Sequence, residues 1–309
     1  MPYSPPSGSA LTLFYADHYH FPLPDGHKFP LGKYQLLRQC LEADSGFCLK
    51  PARFAARHDL VRIHDPGYVN QFLNGTLDWR VMRRIGFPWS EELVARTLAS
   101  TGGTMLATEN ALQTGLSGTL AGGTHHASAN EGSGFCVFND IAVSIGRAQA
   151  VHRIGRAAVI DLDVHQGDGT AAIFAGNESV FTLSVHGARN FPFRKQQSRL
   201  DIELTDGTED ETYLNLLEPA LDRVWAFRPD LVLFQSGVDG LNTDTLGRLA
   251  LTHAGLAARD RLVIEGARSR GIPLVITLGG GYSRPIEPTV SAHAQTFQIA
   301  AELFLKPRI

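Results

Sequence analysis

Residues 157–165, with the sequence AAVIDLDVH, decide the fold. The run opens on four apolar residues, which is typical of a strand buried on both faces in a parallel sheet. Three similar apolar runs lie at residues 180–186, 231–239 and 273–280. Four amphipathic segments, typical of helices, lie at residues 138–151, 209–227, 252–270 and 288–304. Strands that alternate with helices predict an α/β fold with a mostly parallel central sheet and helices on both faces.

The first half of the chain gives weaker signals of the same kind. Residues 11–15 and 60–63 are candidate strands, and residues 90–116 contain one long helix or two short ones. The Pro/Ser/Gly-rich segment 2–9 is expected to be disordered. Because no linker, low-complexity tract or internal repeat interrupts the rest, we expect residues 1–309 to form a single domain.

Composition excludes several classes of protein. The 309 residues include 28 Lys+Arg and 31 Asp+Glu, a net charge of −3, and 43% are hydrophobic, which excludes a disordered chain. This charge gives no reason to expect a nucleic-acid or anionic-membrane partner, and no apolar run approaches the ~18 residues of a membrane span. Three cysteines without zinc-ribbon spacing, and the lack of a secretory signal, predict a cytoplasmic protein.

Polar residues gather where the predicted strands end, the place where parallel sheets carry their functional groups. Asp161, Asp163 and His165 are expected to share one face of their strand, because residues two apart point the same way. The strand at 231–239 ends in Asp239. Asp163, His165 and Asp239 supply two carboxylates and an imidazole, and three protein ligands with an open position are typical of catalytic zinc. Alternatively, these residues could serve only as strand-end caps and ion pairs. We disfavour this interpretation, because charged residues that interrupt apolar strands are seldom buried without a partner.

Two further motifs carry chemistry. His125 and His126 follow a pair of glycines, and a histidine base needs an acceptor for its second nitrogen. Asp161 and Asp168, which are left over beside the metal cluster, can supply one acceptor each. Tyr282 follows three glycines and is either a structural turn residue or a phenol that stabilises an oxyanion.

Together these motifs resemble those of the histone deacetylase family, within the arginase/deacetylase fold. The matching segments, in the family's order, are GTHHASANEGSGFCVFND at 123–140, VIDLDVHQGDG at 159–169, QSGVDGL at 235–241 and LGGGY at 278–282. The resemblance covers about residues 16–299. A single Gln after the metal histidine, TGGT at 101–104 and TDTLGRL at 243–249 resemble class IV and its bacterial relatives more than class I.

The resemblance implies a zinc-dependent amide hydrolase that removes acetyl or longer acyl groups from lysine side chains of proteins. It makes Asp163, His165 and Asp239 the zinc ligands, His126 the principal general acid/base, and Tyr282 the donor to the substrate carbonyl. Class IV members are associated with the removal of long fatty acyl groups, so activity on such chains is expected beside activity on acetyl.

The resemblance also implies supporting roles. His125 tunes the charge of the site and is oriented by Asp161, while Asp168 orients His126. Further matches form the substrate channel, the inner pocket and a structural potassium site: Gly134, Phe135 and Phe191 for the channel walls, His27 and Phe29 for the inner pocket, and Asp161 and Ser184 for potassium.

Several alternatives stay open. No residue of segment 77–90 can be matched to the acidic rim residue by which class I members hold the peptide backbone, so a small acylated amine such as an acetylpolyamine is a second substrate class. An arginase-like ureohydrolase with two manganese ions would use Asp168 and Asp244 for its second metal. A non-catalytic module that binds acylated ligands is a third reading. Imidazole and carboxylate ligands accept ferrous iron as well as zinc, and the sequence predicts no oligomeric state.

Overall fold

Eight strands form one sheet in the computed structural model, which describes residues 10–152 and 154–305. The strands are β1 (Leu11–Tyr15), β2 (Phe47–Pro51), β3 (Leu116–Thr119), β4 (Ala157–Asp161), β5 (Val180–Gly187), β6 (Leu200–Leu204), β7 (Leu231–Gln235) and β8 (Leu274–Thr277). Their order is β2-β1-β3-β8-β7-β4-β5-β6 and every pairing is parallel. The α/β prediction is confirmed; the predicted disordered segment 2–9 lies outside the described residues, and the single domain stays a prediction.

Helices flank this sheet. They are α1 (Lys33–Glu42), α2 (Arg57–Leu60), α3 (Pro66–Leu73), α4 (Trp79–Ile85), α5 (Glu91–Thr114), α6 (Asp140–Val151), α7 (Asp168–Ile173), α8 (Asp210–Ala226), α9 (His253–Arg270) and α10 (Glu287–Leu305). The four predicted amphipathic segments correspond to α6, α8, α9 and α10. α5 is one helix of 24 residues, which the Ser90 side chain caps and a left-handed Gly115 ends. Within the described ranges, no helix is long and apolar enough to cross a membrane.

The strand β4 shows why the sheet is buried on both sides. Ala158 and Ile160 belong to one apolar cluster, whereas Ala157 and Val159 belong to another. Since successive side chains of a strand point to opposite faces, the two clusters lie on opposite faces of the sheet. The continuous apolar run that predicted this strand is therefore explained by helices packed over both faces.

The prediction of a strand at residues 60–63 is wrong. Leu60 is the last residue of α2, and the residues after it form turns, with the amides of Ile63 and His64 donating to the Leu60 carbonyl. The apolar side chains that suggested a strand serve helix packing instead, since Leu60 is fully buried and Ile63 lies against Gly146 of α6. So short an apolar run does not distinguish the two structures.

The strands that lead to the polar residues end earlier than predicted. β4 ends at Asp161 and β7 at Gln235, so Asp163, His165 and Asp239 lie in the loops that follow. The prediction that Asp161, Asp163 and His165 share one face of a strand is therefore wrong. Local hydrogen bonds end the ladder, because Asp161 Oδ1 accepts from the Asp163 amide at 3.2 Å and Asp163 Oδ1 from the His165 amide at 2.9 Å.

Strand order brings four functional loops together. β3, β8, β7 and β4 are consecutive neighbours, and the ends of the last three are level because Asp161 pairs with Gln235 and Gln235 with Thr277. The loops after these strands carry the tandem histidines, the three glycines, Asp239 and the Asp163/His165 segment. The parallel register therefore places all of them at one edge of the sheet.

Arg259 of α9 fastens two of these loops. Its side chain is fully buried, and Nη1 donates to the carbonyl oxygens of Gly237 at 2.6 Å and Leu162 at 3.3 Å. Its charge is balanced by Asp260, whose Oδ1 lies 2.8 Å from Nη2. One guanidinium thus ties the loop after β4 to the loop after β7.

Replacing this guanidinium is expected to be costly. Arg259→Met leaves Asp260 as an unpaired buried charge, so the free energy of unfolding should fall by about 3–5 kcal/mol. Arg261→Met is the matched control, because its ion pair with Glu302 is 40% exposed and should contribute about 1 kcal/mol or less. Urea denaturation of both variants measures the difference, and equal losses would contradict this account of Arg259.

Candidate metal centre and active site

Two carboxylates and one imidazole meet at the edge of the sheet. Asp163, His165 and Asp239 each offer a ligand atom, and these atoms lie within 4.8 Å of one another. His165 Nδ1 is 3.1 Å from Asp163 Oδ1 and 2.9 Å from Asp239 Oδ2. The structure therefore brings together the three residues that the sequence singled out, in an arrangement that could hold a metal ion.

Backbone amides fix the orientation of both carboxylates. Asp239 Oδ1 accepts from the amide of Val164 at 2.9 Å, and Asp163 Oδ2 accepts from the amide of Gly280 at 2.6 Å. The second contact needs glycine, because a Cβ at position 280 would overlap Asp239 Oδ2. The glycines before Tyr282 thus allow the backbone to approach the cluster closely.

The electrostatics of the cluster suit a cation. Burial, and then the charge of Asp163, raise the pKa of Asp239 to about 7. Burial opposes the charged form of Asp163 as well, but His125 and His165 hold the pKa of Asp163 well below its usual value. Hydrogen bonds with both carboxylates outweigh burial and raise the pKa of His165 to about 10. The protonated imidazole supplies the positive charge that a divalent ion would bring between the carboxylates.

The tandem histidines have opposite protonation preferences. His125 Nδ1 lies 2.7 Å from Asp161 Oδ2, and His126 Nδ1 lies 2.6 Å from Asp168 Oδ1. Burial lowers the pKa of His125, but Asp161 and Asp163 outweigh it and raise this pKa to about 9. Burial, and then the charge of His125, lower the pKa of His126 to about 4. One imidazole is thus held charged and its neighbour neutral, which separates an acid from a base.

The loop that carries the histidines is held by Asp140, which sequence reasoning missed. Its carboxylate accepts from the amides of Gly123 at 3.0 Å and Thr124 at 2.7 Å, and from the hydroxyl of Thr104 at 2.5 Å. Asp140 is the first residue of α6, directly after the capping Asn139. The Asn-Asp pair at a helix start was the available signal.

Lys33 is a second missed residue. It is almost fully buried, and its Nζ donates to the Gly279 carbonyl at 2.9 Å and lies 5.4 Å from the centre of the Tyr282 ring. Burial lowers the pKa of Lys33 to about 8. Nothing in the local sequence indicates this contact, because it joins positions 246 residues apart.

Tyr282 is held by the loop after β7. Its amide donates to Asp244 Oδ2 at 2.6 Å, and its carbonyl accepts from the Thr245 hydroxyl at 2.7 Å. Burial, and then the charge of Asp239, raise the pKa of Tyr282 well above its usual value. The phenol therefore keeps its proton and can donate a hydrogen bond.

A channel of about 370 Å³ leads from the surface to these groups, and Gly134, Phe135, Phe191 and Tyr282 line it. The Phe191 ring lies edge-on 4.9 Å from the ring of His126. Gly134 has φ +53°, and a Cβ there would lie 2.7 Å from His126 Cδ2, so only glycine leaves the His126 ring accessible.

His27 lies behind this wall. Its ring packs against Phe87 and Phe135, with Nε2 2.9 Å from the Gly86 carbonyl oxygen. Of the two inner-pocket residues suggested by the sequence, Phe29 lines the cavity beyond the channel, and His27 supports Phe135 from outside it.

A smaller cavity of about 90 Å³ lies beyond the channel. His126, Gly134, Phe135, His165 and Tyr282 line both spaces, so the Asp–His–Asp cluster lies at their junction. The resemblance assigned Phe29 to an inner pocket, but the extent of this cavity could not be predicted, because its walls come from segments far apart in the chain.

Fold and site together define an α/β protein whose buried Asp–His–Asp cluster faces a narrow channel. Residues 27–297 match the sequence profile of the histone deacetylase domain, and the chain belongs to the histone deacetylase family. Membership of this family supports the assignment of the protein as a hydrolase of the deacetylase type.

Individual relatives agree with this assignment. An uncharacterized protein of Picosynechococcus is 41% identical over 94% of this chain and 99% of its own length. Histone deacetylase 2 of Arabidopsis thaliana is 31% identical over 74% of this chain and 62% of the relative. Human histone deacetylase 1 is 34% identical over 60% of this chain and 40% of the relative. The HDA15 HD domain has the same fold, with a TM-score of 0.77, 20% identity, and coverage of 97% and 90% of the two chains.

Metal binding is expected to stabilise the protein. Zn²⁺ at a hundredfold excess over its dissociation constant should add about 2.7 kcal/mol to the free energy of unfolding, seen as a higher melting temperature that a chelator reverses. Asp239→Ala removes a ligand and should abolish the shift, whereas Asp222→Ala, an exposed carboxylate of α8, should keep it. An unchanged shift in Asp239→Ala would contradict the assignment of this cluster.

Proposed function

We propose that the protein is a zinc-dependent amide hydrolase that removes acetyl or longer acyl groups from lysine side chains of proteins. One observation carries the proposal: the candidate metal cluster, a neutral His126 and a protonated Tyr282 meet at the inner end of one narrow channel. The channel's glycine and aromatic walls suit the alkyl stem of an acylated lysine.

Asp163, His165 and Asp239 would hold the metal. Their two carboxylates and one imidazole fit zinc with an open position, and fit ferrous iron as well. The bound ion would polarise the substrate carbonyl and lower the pKa of a water to about 7.

His126 acts as the base. Its imidazole is neutral, and Asp168 at Nδ1 fixes the tautomer in which Nε2 accepts the proton of the attacking water. Asp168 then stabilises the resulting imidazolium, which gives its proton to the departing lysine amine. His125 lies 4.1 Å away between ring centres and is held charged by Asp161, so it adds positive charge where the transition state gains negative charge.

Tyr282 acts on the substrate carbonyl. Its protonated hydroxyl donates to the oxygen as that oxygen becomes the tetrahedral oxyanion, a contact that strengthens in the transition state. Asp244 fixes the tyrosine's backbone, so the phenol requires little reorganisation during the reaction.

The alternative of an arginase-like site with two metal ions is disfavoured, because Asp168 and Asp244 already have other hydrogen-bond partners. Asp168 is bonded to His126, and Asp244 accepts from the amides of Leu246, Gly247 and Tyr282. Ligation of a second manganese ion by either carboxylate would therefore compete with the contacts that orient His126 and Tyr282.

The mouth of the channel disfavours a polyamine. Arg84, Arg189 and Arg248 line it; Arg84 forms an ion pair with Glu131, and the other two share Asp206. Three guanidiniums against two carboxylates leave an excess of positive charge, which repels a cationic amine but accepts a neutral or acidic peptide. We therefore favour an acylated lysine in a protein or peptide over an acetylpolyamine.

A structural potassium ion is a further part of the proposal. Asp161 and Ser184 pair across β4 and β5, and Ser184 Oγ lies 3.0 Å from His186 Nδ1. The Asp161 carboxylate and the Ser184 hydroxyl would supply oxygen ligands of the kind that suit a hard monovalent cation, and Asp161 is also the partner of His125.

Tyr282→Phe is expected to lower kcat by about 10²–10³, because the oxyanion loses one donor. His126→Ala should lower kcat by about 10²–10⁴ through loss of the base. Both variants should keep the Zn²⁺-induced melting shift, since neither residue is an assigned ligand. Steady-state kinetics on an acetyl-lysine peptide measure the effect, with Tyr19→Phe, a half-buried tyrosine outside both cavities, as control. Parent-like turnover by Tyr282→Phe with metal bound would make Tyr282 a structural turn residue.

The acyl chain length is tested with lysine peptides from acetyl to tetradecanoyl. Each methylene that enters the cavity should raise kcat/KM about fourfold, from about 0.8 kcal/mol per buried CH₂. Turnover of long fatty chains, which the resemblance to class IV favours, requires the cavity walls to move. Phe29→Ala enlarges the cavity and should shift the optimum to longer chains, whereas the exposed Phe54→Ala should not. The same optimum in Phe29→Ala would show that acyl chains do not enter this cavity.

A further inference from the structure

The inner cavity contains a buried positive charge. Arg96 of α5 lines the cavity and is only 6% exposed, and its Nη1 has no hydrogen-bond partner among the described residues. Its guanidinium lies 4.5 Å from the centre of the Tyr34 ring. This cation–π contact compensates part of the burial but leaves a strong donor unused.

No carboxylate is placed to pair with this guanidinium in the described part of the chain. Asp17 acts on Arg96 through its charge, but both Asp17 oxygens accept from Nε of Arg38, at 3.0 and 2.8 Å. A buried charge with an unused donor is strongly disfavoured unless another group compensates it. An anion bound in the cavity would therefore compensate the charge of Arg96.

The remaining wall and the volume limit what that anion can be. Phe21, Phe29, Phe87 and Leu93 form an apolar side, and the hydroxyl-bearing Thr97, Ser100 and Thr101 lie on α5 with Arg96. The cavity, at about 90 Å³, has about a quarter of the volume of the channel that leads to it, at about 370 Å³. A short apolar stem with an anionic end matches this space, whereas a long unbranched chain does not.

We infer that the cavity selects a short acyl group that ends in a carboxylate, of the succinyl type, and that Arg96 binds this carboxylate. The inference rests on the proposed function, since the amide carbonyl must lie at the metal cluster for the acyl tail to enter the cavity. The tail then places two methylene groups against the phenylalanines and its carboxylate at the guanidinium.

The reaction is an ordinary hydrolysis. Water adds to the amide carbonyl, the bond between the acyl carbon and the lysine nitrogen breaks, and the amine leaves with a proton. The acyl carbon keeps the oxygen of the water, so the products are a lysine ammonium and a dicarboxylate. No oxidant, reductant or second substrate is needed.

The test compares three peptides that differ only in the acyl group on lysine: acetyl, succinyl and isohexanoyl, the last a neutral group shaped like succinyl. For the parent protein, kcat/KM for succinyl should exceed that for isohexanoyl by about 10- to 100-fold, the range of a hydrogen bond to a charged group. Arg96→Met should abolish or reverse this preference while acetyl turnover changes much less. Arg223→Met, at an exposed position of α8, is the control and should keep the preference.

A binding measurement makes the result independent of turnover. Calorimetry should show that succinate binds the parent protein about 10-fold or more tightly than it binds Arg96→Met, whereas isohexanamide, which has no carboxylate, should bind both proteins equally. Hydrolysis of acetyl without preference for succinyl, or equal losses on all three peptides in Arg96→Met, would overturn the inference and leave the deacylase proposal intact. If no peptide is hydrolysed, the proposed function fails, and equal binding of succinate by the parent protein and by Arg96→Met overturns the role of Arg96 as well.

Discussion

The close approach of two buried carboxylates, Asp163 and Asp239, is the constraint on which the rest of the structure depends. Two like charges removed from water repel each other and are stable only beside positive charge and hydrogen-bond donors. The chain supplies His165 between them and the backbone amides of Val164 and Gly280 around them. The strands β4 and β7 end early, and the loop before Tyr282 is rich in glycine, because this backbone must direct its amides towards the two carboxylates.

The same reasoning explains why two adjacent histidines differ. Rings whose centres are 4.1 Å apart cannot both carry charge in a buried site. Asp161 is almost fully buried, whereas the Asp168 side chain is 19% exposed, so Asp161 exerts the stronger field and its histidine takes the proton. The division into one charged and one neutral imidazole is thus set by where the two carboxylates lie relative to solvent.

Sequence reasoning predicted what depends on local pattern and on the general geometry of parallel sheets. The apolar runs located β4, β5, β7 and β8, and the rule that functional groups follow strand ends brought Asp163, His165 and Asp239 together. The ends of those strands could not be predicted from the sequence, because hydrogen bonds from backbone amides to Asp side chains compete with the hydrogen bonds between strands. Lys33, Arg96 and Arg259 were missed for another reason: each acts on segments remote in sequence, and an isolated cation in an amphipathic helix is usually a solvated one.

The tie that Arg259 makes between the loops after β4 and β7 has a dynamic consequence. These loops carry Asp163, His165 and Asp239, and a single guanidinium donates to a carbonyl in each loop. If one loop opens, the other loses the same bonds, so the two should open as one cooperative unit whose amides share a common free energy in hydrogen exchange. An ion approaching the cluster would then meet either the complete set of ligands or none, and a half-formed site would be rarely populated.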